Sequence, residues 1–325
     1  DRNNVPTSYI YINKDLGSSS HDLRVEYFSL VGTDSMHSTF PIQHFWKDGG
    51  SGYEIYPDPG FKPYSIESAL RLSTGDVALT LDSGTYSFVI DFFGDSLTIQ
   101  SSEGADVHIS DLVLHAARTL PSEGDWRMKT GLYDGCTTGN AEVTFKDVIF
   151  DKASQTAIRY FSDVMIDGCT LNDTRLEISK TTGDGMVVDN SLVTIVDCVS
   201  VYGGSNVGYS YTINMENVNF TGNTITGYDR GINIQNCTGA ALIQGNTFRD
   251  LTEANEGAVQ IADAFNGGSF TIRDNVFDNV QSALAIHENS SGTPEAVNFI
   301  ENNITNTDVG VLYKTDGDKM RTDVS

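Results

Sequence analysis

Positive charge is scarce in this chain: 20 Lys and Arg stand against 44 Asp and Glu, for a formal net charge of −24. Such an excess repels nucleic acids and anionic lipid headgroups, so neither is expected as a partner. Long apolar runs are missing as well. No segment approaches the roughly 20 apolar residues that a membrane-spanning helix requires, and no membrane insertion is expected. Cysteine is sparse, at 4 in 325 residues, which excludes a disulfide scaffold. The chain has no HExxH, no paired CxxC, no Walker loop and no GxSxG elbow, so nothing points to zinc protease, phosphate-loop or serine-hydrolase chemistry. No cofactor is expected, and no metal other than weakly held calcium. The sequence opens at Asp1 without a Met, as a trimmed mature protein or an excised piece would, which says little about the compartment. The acidic surface suits an extracellular or saline setting, and an extracellular or cell-surface location is the expectation.

What the sequence does contain is repetition. The segments VTFKDVIFD, VMIDGCTLND, VTIVDCVSV, VNFTGNTITG, ALIQGNTFRD, FTIRDNVFD and VNFIENNIT superimpose, with Val148, Cys169, Cys198, Asn223, Asn246, Asn275 and Asn302 in one column. An earlier copy, VHISDLVL, puts Leu112 there too. Three residues before this column every position is large and apolar, from Ile109 and Phe145 to Phe299; two residues after it only Ser200 breaks an apolar column that includes Phe150, Leu171, Ile225 and Phe248. Turn formers, mostly Asp and Gly, stand immediately before it.

The other half of each repeat runs AIRY, GMVV, SYTI, GINI, AVQI, ALAI and GVLY, beginning at Ala157, Gly185, Ser210, Gly231, Ala258, Ala283 and Gly310. Short period-2 alternation means strands with one buried face. No amphipathic run of helical length separates them, the LxxLxL consensus of leucine-rich repeats is absent, and propeller blades need a longer period. Stacked coils of short parallel strands are what remains. The expected fold is all-β: a single-stranded right-handed parallel β-helix of about 8 or more coils. At its bends Asn tolerates left-handed backbone angles, and stacked at about 4.8 Å its amide bonds its copies above and below.

These asparagine-ladder repeats resemble the pectate-lyase-like right-handed β-helix superfamily. The stretch SIESALRLSTGDVALTLDSGTYSFVIDFFGDSLTI, residues 65–99, is similar to its amino-terminal entry, which implies a capping helix around Ile66–Leu72. The resemblance spans roughly residues 63–313. It speaks for fold more than function, since the superfamily holds polysaccharide lyases, glycoside hydrolases, esterases, epimerases, phage tailspikes and adhesins.

Residues 1–62 do not repeat and read as a β-rich extension that packs on or caps the solenoid; a fragment of a separate β-sandwich is the rival reading. Residues 63–325 form the solenoid, interrupted by an inserted loop at 115–142. That loop carries Trp126, Arg127, Lys129 and Tyr133, which suit a sugar platform, although such a loop can equally be stapled by its own aromatics. The polar end KTDGDKMRTDVS lacks a β-helix cap, so further domains of the same polypeptide are expected.

If the small-apolar-x-apolar strand forms the sheet that bears the cleft, its outward residues are the candidates. Asp184, Tyr209 and Arg230 then occupy one column on successive coils, an acid, a phenol and a guanidinium suited to proton transfer and charge stabilisation; an ordinary surface ladder has the same pattern. Arg159, Asp189, Asn233, Gln260 and His287, with Trp126 from the loop, are candidates for substrate contact. Asp184 and Asp189 lie roughly 16 Å apart along an extended strand, too far for a glycosidase pair unless the turn folds back. Cys169 and Cys198 share the turn column within Cα range of a disulfide, but parallel stacking holds the Cβ atoms too far apart for a relaxed bridge, which favours two buried thiols. Cys136 and Cys237 read as unpaired. The functional expectation is a carbohydrate-active protein acting on a glycan or polysaccharide, of glycoside hydrolase or lyase type. The net charge turns this away from polyanionic pectate or alginate and toward a neutral or mixed glycan. The alternative is a non-catalytic adhesin or structural solenoid of a larger surface protein.

Overall fold

A computed structural model describes residues 21–31, 34–47, 52–55, 76–92, 94–116, 141–151, 156–180, 190–203, 208–251, 256–262, 268–287, 296–315 and 318–322. Among them there is no helix. The expected capping helix at Ile66–Leu72 and the inserted loop with Trp126, apart from its two ends, lie outside the described residues, as do Asp184 and Asp189.

The chain winds as a parallel β-helix with three faces. The first face belongs to a twelve-stranded sheet that runs in parallel from Asp76–Leu81 to Ala296–Ile300. Its register places Phe145, Ile166, Ile195, Phe220, Ile243, Ile272 and Phe299 side by side, the column read from the sequence. At the amino end, Gly52–Ile55 joins this sheet parallel to Asp76–Leu81, and the antiparallel pair His21–Val31 and Asp34–Lys47 extends it. The second face carries short strands from Ile149–Asp151 to Asn303–Thr305, with Phe150, Leu171, Ser200, Ile225, Phe248, Phe277 and Ile304 in register. The third face runs from Val107–Ala116 through Thr156–Arg159, Leu176–Ser179, Tyr209–Asn214, Arg230–Gln235 and Val259–Ala262 to Ser282–His287 and Val309–Thr315.

Inside, the three faces pack an apolar core that includes a run of rings. Phe220, Phe248, Phe277 and Phe299 follow one another at centroid separations of 6.5, 5.1 and 5.9 Å. Burial of each such side chain is worth about 1.5–3 kcal/mol, and repetition along the axis makes that stabilisation cumulative.

The corner between the first two faces is built by two adjacent columns with separate tasks. Asp147, Gly168, Asp197, Gly222, Gly245, Asp274 and Glu301 all have positive φ, between 53° and 70°. The ladder asparagines, one residue later, do not, so left-handed tolerance is not why Asn stands there; the reason is the amide. Asn223 N and Nδ2 both donate to Asn246 Oδ1 (2.8 and 3.1 Å), Asn246 to Asn275 Oδ1 (both 2.9 Å), and Asn275 to Asn302 Oδ1 (3.0 and 2.9 Å). Each amide nitrogen also donates to the carbonyl of Ile195, Phe220, Ile243 or Ile272 at 2.9 Å. Cys198 N begins the ladder, donating to Asn223 Oδ1 at 2.9 Å. Cys169 and Cys198 are buried free thiols, as is Cys237, and burial pushes the Cys169 thiol well above its ordinary value.

Two placements differ from the sequence reading. Leu112 is not in the turn column. Val107–Ala116 is one long strand whose start pairs with the second face (His108 beside Ile149) and whose end pairs with the third (Leu112 beside Thr156); the first-face strand of that coil is Ser96–Ser101. The strand beside Tyr209–Asn214 is Leu176–Ser179, with Leu176 next to Tyr211 and Ile178 next to Ile213, so Gly185–Val188 does not hold that position. Alternation is the same on all three faces, and the extra residues of this coil follow the strand rather than precede it.

Candidate functional site

The third face gathers one polar cluster. Tyr209 and Arg230 are register partners on neighbouring strands, and the Arg230 guanidinium carbon lies 5.0 Å from the Tyr209 ring centroid, in cation–π range. On the strand of Arg230, Asn233 pairs with Gln260 of the next strand, and Gln260 with Ala285 of the one after. The strand Ser282–His287 brings His287 to the end of the next coil.

Hydrogen bonds and longer ion-pair contacts link these residues. The Tyr209 hydroxyl donates to Gln260 Oε1 and faces Glu256 Oε2 at 3.4 Å. The Gln260 amide nitrogen lies 3.1 Å from His287 Nδ1. An amide nitrogen only donates, so Nδ1 is the acceptor and Nε2 carries the proton of the neutral ring. His287 Nε2 stands 3.5 Å from Glu256 Oε2, and Arg230 reaches the other Glu256 oxygen at 3.9 Å. The Glu256 side chain is only 17% exposed. Burial first, and the Glu256 carboxylate second, push the Tyr209 phenol far above its ordinary value. Tyr209 is therefore a protonated acid at every physiological pH.

Of the residues singled out in the sequence, Tyr209, Arg230, Asn233, Gln260 and His287 meet here. Arg159 does not. It stands in the column of Ser179, Asn214, Gln235, Ala262 and His287, five strands from His287 and so roughly 24 Å away at the usual strand spacing. Its guanidinium donates to Glu177 at 2.9 Å. The expected column Asp184–Tyr209–Arg230 is replaced at its first position, because the neighbouring strand is Leu176–Ser179.

Glu256 is the member that the sequence pattern missed, because it precedes its strand on the connecting corner. One signal was present. The next position in the column of Tyr209 and Arg230 is Gly257, where a Cβ would come 2.6 Å from the Ala285 backbone nitrogen. With no side chain at 257, the space beside Arg230 is left to the adjoining residue.

A concavity lies on the first face: an open groove of about 620 Å³ lined by Leu192, Asn217, Asn219, Leu242, Thr271 and Arg273, among others. It contains none of the cluster's residues. Chemically the third-face cluster offers a proton donor, an imidazole, a carboxylate and a guanidinium within one hydrogen-bonded unit, while the first-face groove offers amides and hydroxyls over an aliphatic floor. Among the described residues no three His, Cys, Asp or Glu side chains are grouped to hold a metal ion. No family model matches this chain, and no curated protein or solved structure matches it.

Proposed function

We propose that the chain is a member of the pectate-lyase-like β-helix superfamily and acts outside the cell or at its surface on a glycan, cleaving glycosidic bonds at the third-face cluster. The observation that carries this reading is the cluster of Tyr209, Gln260, His287 and Glu256 beside Arg230. Both hydrolysis and elimination need a proton delivered to the departing sugar oxygen, and Tyr209 keeps its proton. Gln260 holds His287 in one tautomer, its Nε2–H toward Glu256, and Arg230 stabilises developing negative charge. Glu256 stands against both His287 and Arg230.

The test is a panel of polysaccharides incubated with the wild-type chain, Tyr209→Phe and Arg230→Ala, with new reducing ends and the ultraviolet absorbance of unsaturated ends both followed. Product from the wild type that falls at least a hundredfold in both variants supports the site. Equal product from all three removes it.

A second reading, a non-catalytic adhesin or structural solenoid, is favoured by the first-face groove, which lies apart from the cluster and offers a binding surface without an acid or base. Retention of a glycan without product supports that alternative.

A further inference from the structure

Gln260 is only 5% exposed, and both ends of its amide are committed: Oε1 accepts from the Tyr209 hydroxyl, and Nε2 lies 3.1 Å from His287 Nδ1. An amide covered and engaged in this way is poorly placed as a substrate contact, and its geometry fits a different task. Tyr209 has one hydroxyl hydrogen and two acceptors within reach, Gln260 Oε1 and Glu256 Oε2. Burial holds that hydrogen on the phenol at every physiological pH. Which acceptor receives it depends on the direction of the Gln260 amide, and that direction depends on His287. While the imidazole is neutral, Nδ1 takes the amide N–H, which leaves Oε1 for the phenol. A proton added from water at Nδ1 makes that contact donor against donor. Turning the amide over removes the conflict, because its oxygen and nitrogen are close in size. Oε1 then accepts from Nδ1–H, and Nε2 donates to the phenol oxygen. The phenol hydrogen, displaced from Gln260, turns to Glu256 Oε2. The O–H bond only rotates, and the proton taken up at Nδ1 is the sole transfer.

We infer that Gln260 is a positioning residue, its amide turning with the charge on His287 and so setting whether the Tyr209 hydroxyl points to Gln260 or to Glu256. The inference rests on the reading of the third-face cluster as a site of glycan cleavage and adds its regulation. A carboxylate holds a hydrogen more strongly than a neutral amide does, so the phenol proton leaves more readily for a sugar oxygen while His287 is neutral. Histidine ordinarily changes charge between pH 5 and 8. The groups around this one act in opposite senses. Glu256 stands 3.5 Å from Nε2 and favours the imidazolium, with Arg230 beyond it at 3.9 Å. The register sets Lys314 beside His287 on the next strand, where its charge opposes the imidazolium, and the strand on the other side, Val259–Ala262, is uncharged.

The experiment follows two titrations without substrate, from about pH 5 to about pH 9: the His287 ring by its nitrogen resonances and the Tyr209 phenol carbon by its carbon resonance. Each signal is identified by its loss in His287→Gln or Tyr209→Phe. The chains are the wild type, Gln260→Leu, and Gln260→Glu, which keeps the shape of the side chain and removes its donor. Expected in the wild type are a neutral ring with its hydrogen on Nε2 and a phenol signal that steps at the His287 midpoint; in both variants the step is lost. A phenol signal that stays flat through the wild-type His287 titration overturns the coupling. A step that survives in the variants shows that His287 acts through Glu256 and overturns the role of Gln260. With a polysaccharide that the wild type cleaves at about pH 8, Gln260→Leu leaves Glu256 as the phenol's acceptor and is expected to lower kcat about tenfold or more with KM unchanged. A loss in KM alone makes Gln260 a substrate contact and overturns the inference. No product from the wild type overturns the cleavage reading, while the two titrations still decide the coupling.

Discussion

The hydroxyl of Ser200 donates to the phenol oxygen of Tyr211 at 3.1 Å, and both residues are fully buried. Each is the polar exception in an otherwise apolar column: Ser200 stands between Leu171 and Ile225, and Tyr211 between Leu176 and Ile232. The small side chain on one face makes room for the large one on another and satisfies its hydroxyl. Ser200→Ala leaves that phenol without its partner and is expected to cost about 1–3 kcal/mol; Ser200→Leu overpacks the same space at a similar cost. The double variant Ser200→Leu, Tyr211→Ile restores the pattern of the neighbouring coils. Denaturant unfolding of the wild type, Ser200→Leu, Tyr211→Ile and the double variant checks this: the double variant should be more stable than either single one, and strict additivity would show that the two residues are independent.

The asparagine ladder has a graded prediction. Asn246→Ala removes the acceptor of two Asn223 donors and the donor to the Phe220 carbonyl, all buried, and is expected to cost about 3 kcal/mol or more. Asn302 is half-buried, so water can take over its bonds; Asn302→Ala should cost about 1 kcal/mol. Unfolding midpoints measured side by side decide it. Equal losses would mean that the ladder's stabilisation does not depend on burial.

The ladder was legible because seven segments share flanking apolar columns at fixed offsets, and a one-residue slip would turn every side chain to the opposite face. Tyr209, Arg230, Asn233, Gln260 and His287 were legible as outward residues for the same reason. Alternation has no way of naming the face a strand lies on, however, which is why Leu112 was placed at a turn it does not occupy. Nor does it say on which side of a strand extra residues fall, which is how Leu176–Ser179 came to hold the position read for Gly185–Val188 and how Arg159 slipped two residues. Glu256 escaped because corner residues have no period. Its position follows from the collision that keeps Gly257 bare, a fact of three-dimensional packing.

Gly231, next to Arg230, tests how closely the coils approach. A Cβ there would fall 2.0 Å from the Ala258 carbonyl oxygen and 3.1 Å from the Phe248 ring. Backbone cannot yield as a side-chain tip can, so Gly231→Ala is expected to cost on the order of 3 kcal/mol or more and to displace Arg230 from the cluster. Gly104→Ala is the control: its φ is +74° but nothing lies within 4 Å, so only the left-handed strain of about 1–2 kcal/mol remains. Thermal unfolding of the two variants compares them directly, and a smaller loss at 231 than at 104 would contradict the close packing.

The last prediction concerns alkaline pH. Burial raises the phenols of Tyr209, Tyr211 and Tyr228 above their ordinary value of 10.0. Below that value folded and unfolded chains are both protonated and the full stability is present. As pH climbs past it, the unfolded chain ionises while the folded phenols hold their protons, so stability falls with rising pH until the folded values are reached. Stability should therefore decline above about pH 10, and Tyr209→Phe should flatten that decline by up to one proton in the linkage slope. Difference absorbance between the wild type and Tyr209→Phe gives the phenol's own titration. A midpoint near 10 would contradict its burial against Glu256, and would move the alkaline limb of any cleavage profile onto Tyr209. With the phenol protonated throughout, that limb would belong to another group, and under the proposed cleavage Tyr209→Phe is expected to lower the rate by a constant factor of about 10²–10⁴ at every pH between the His287 titration and 10.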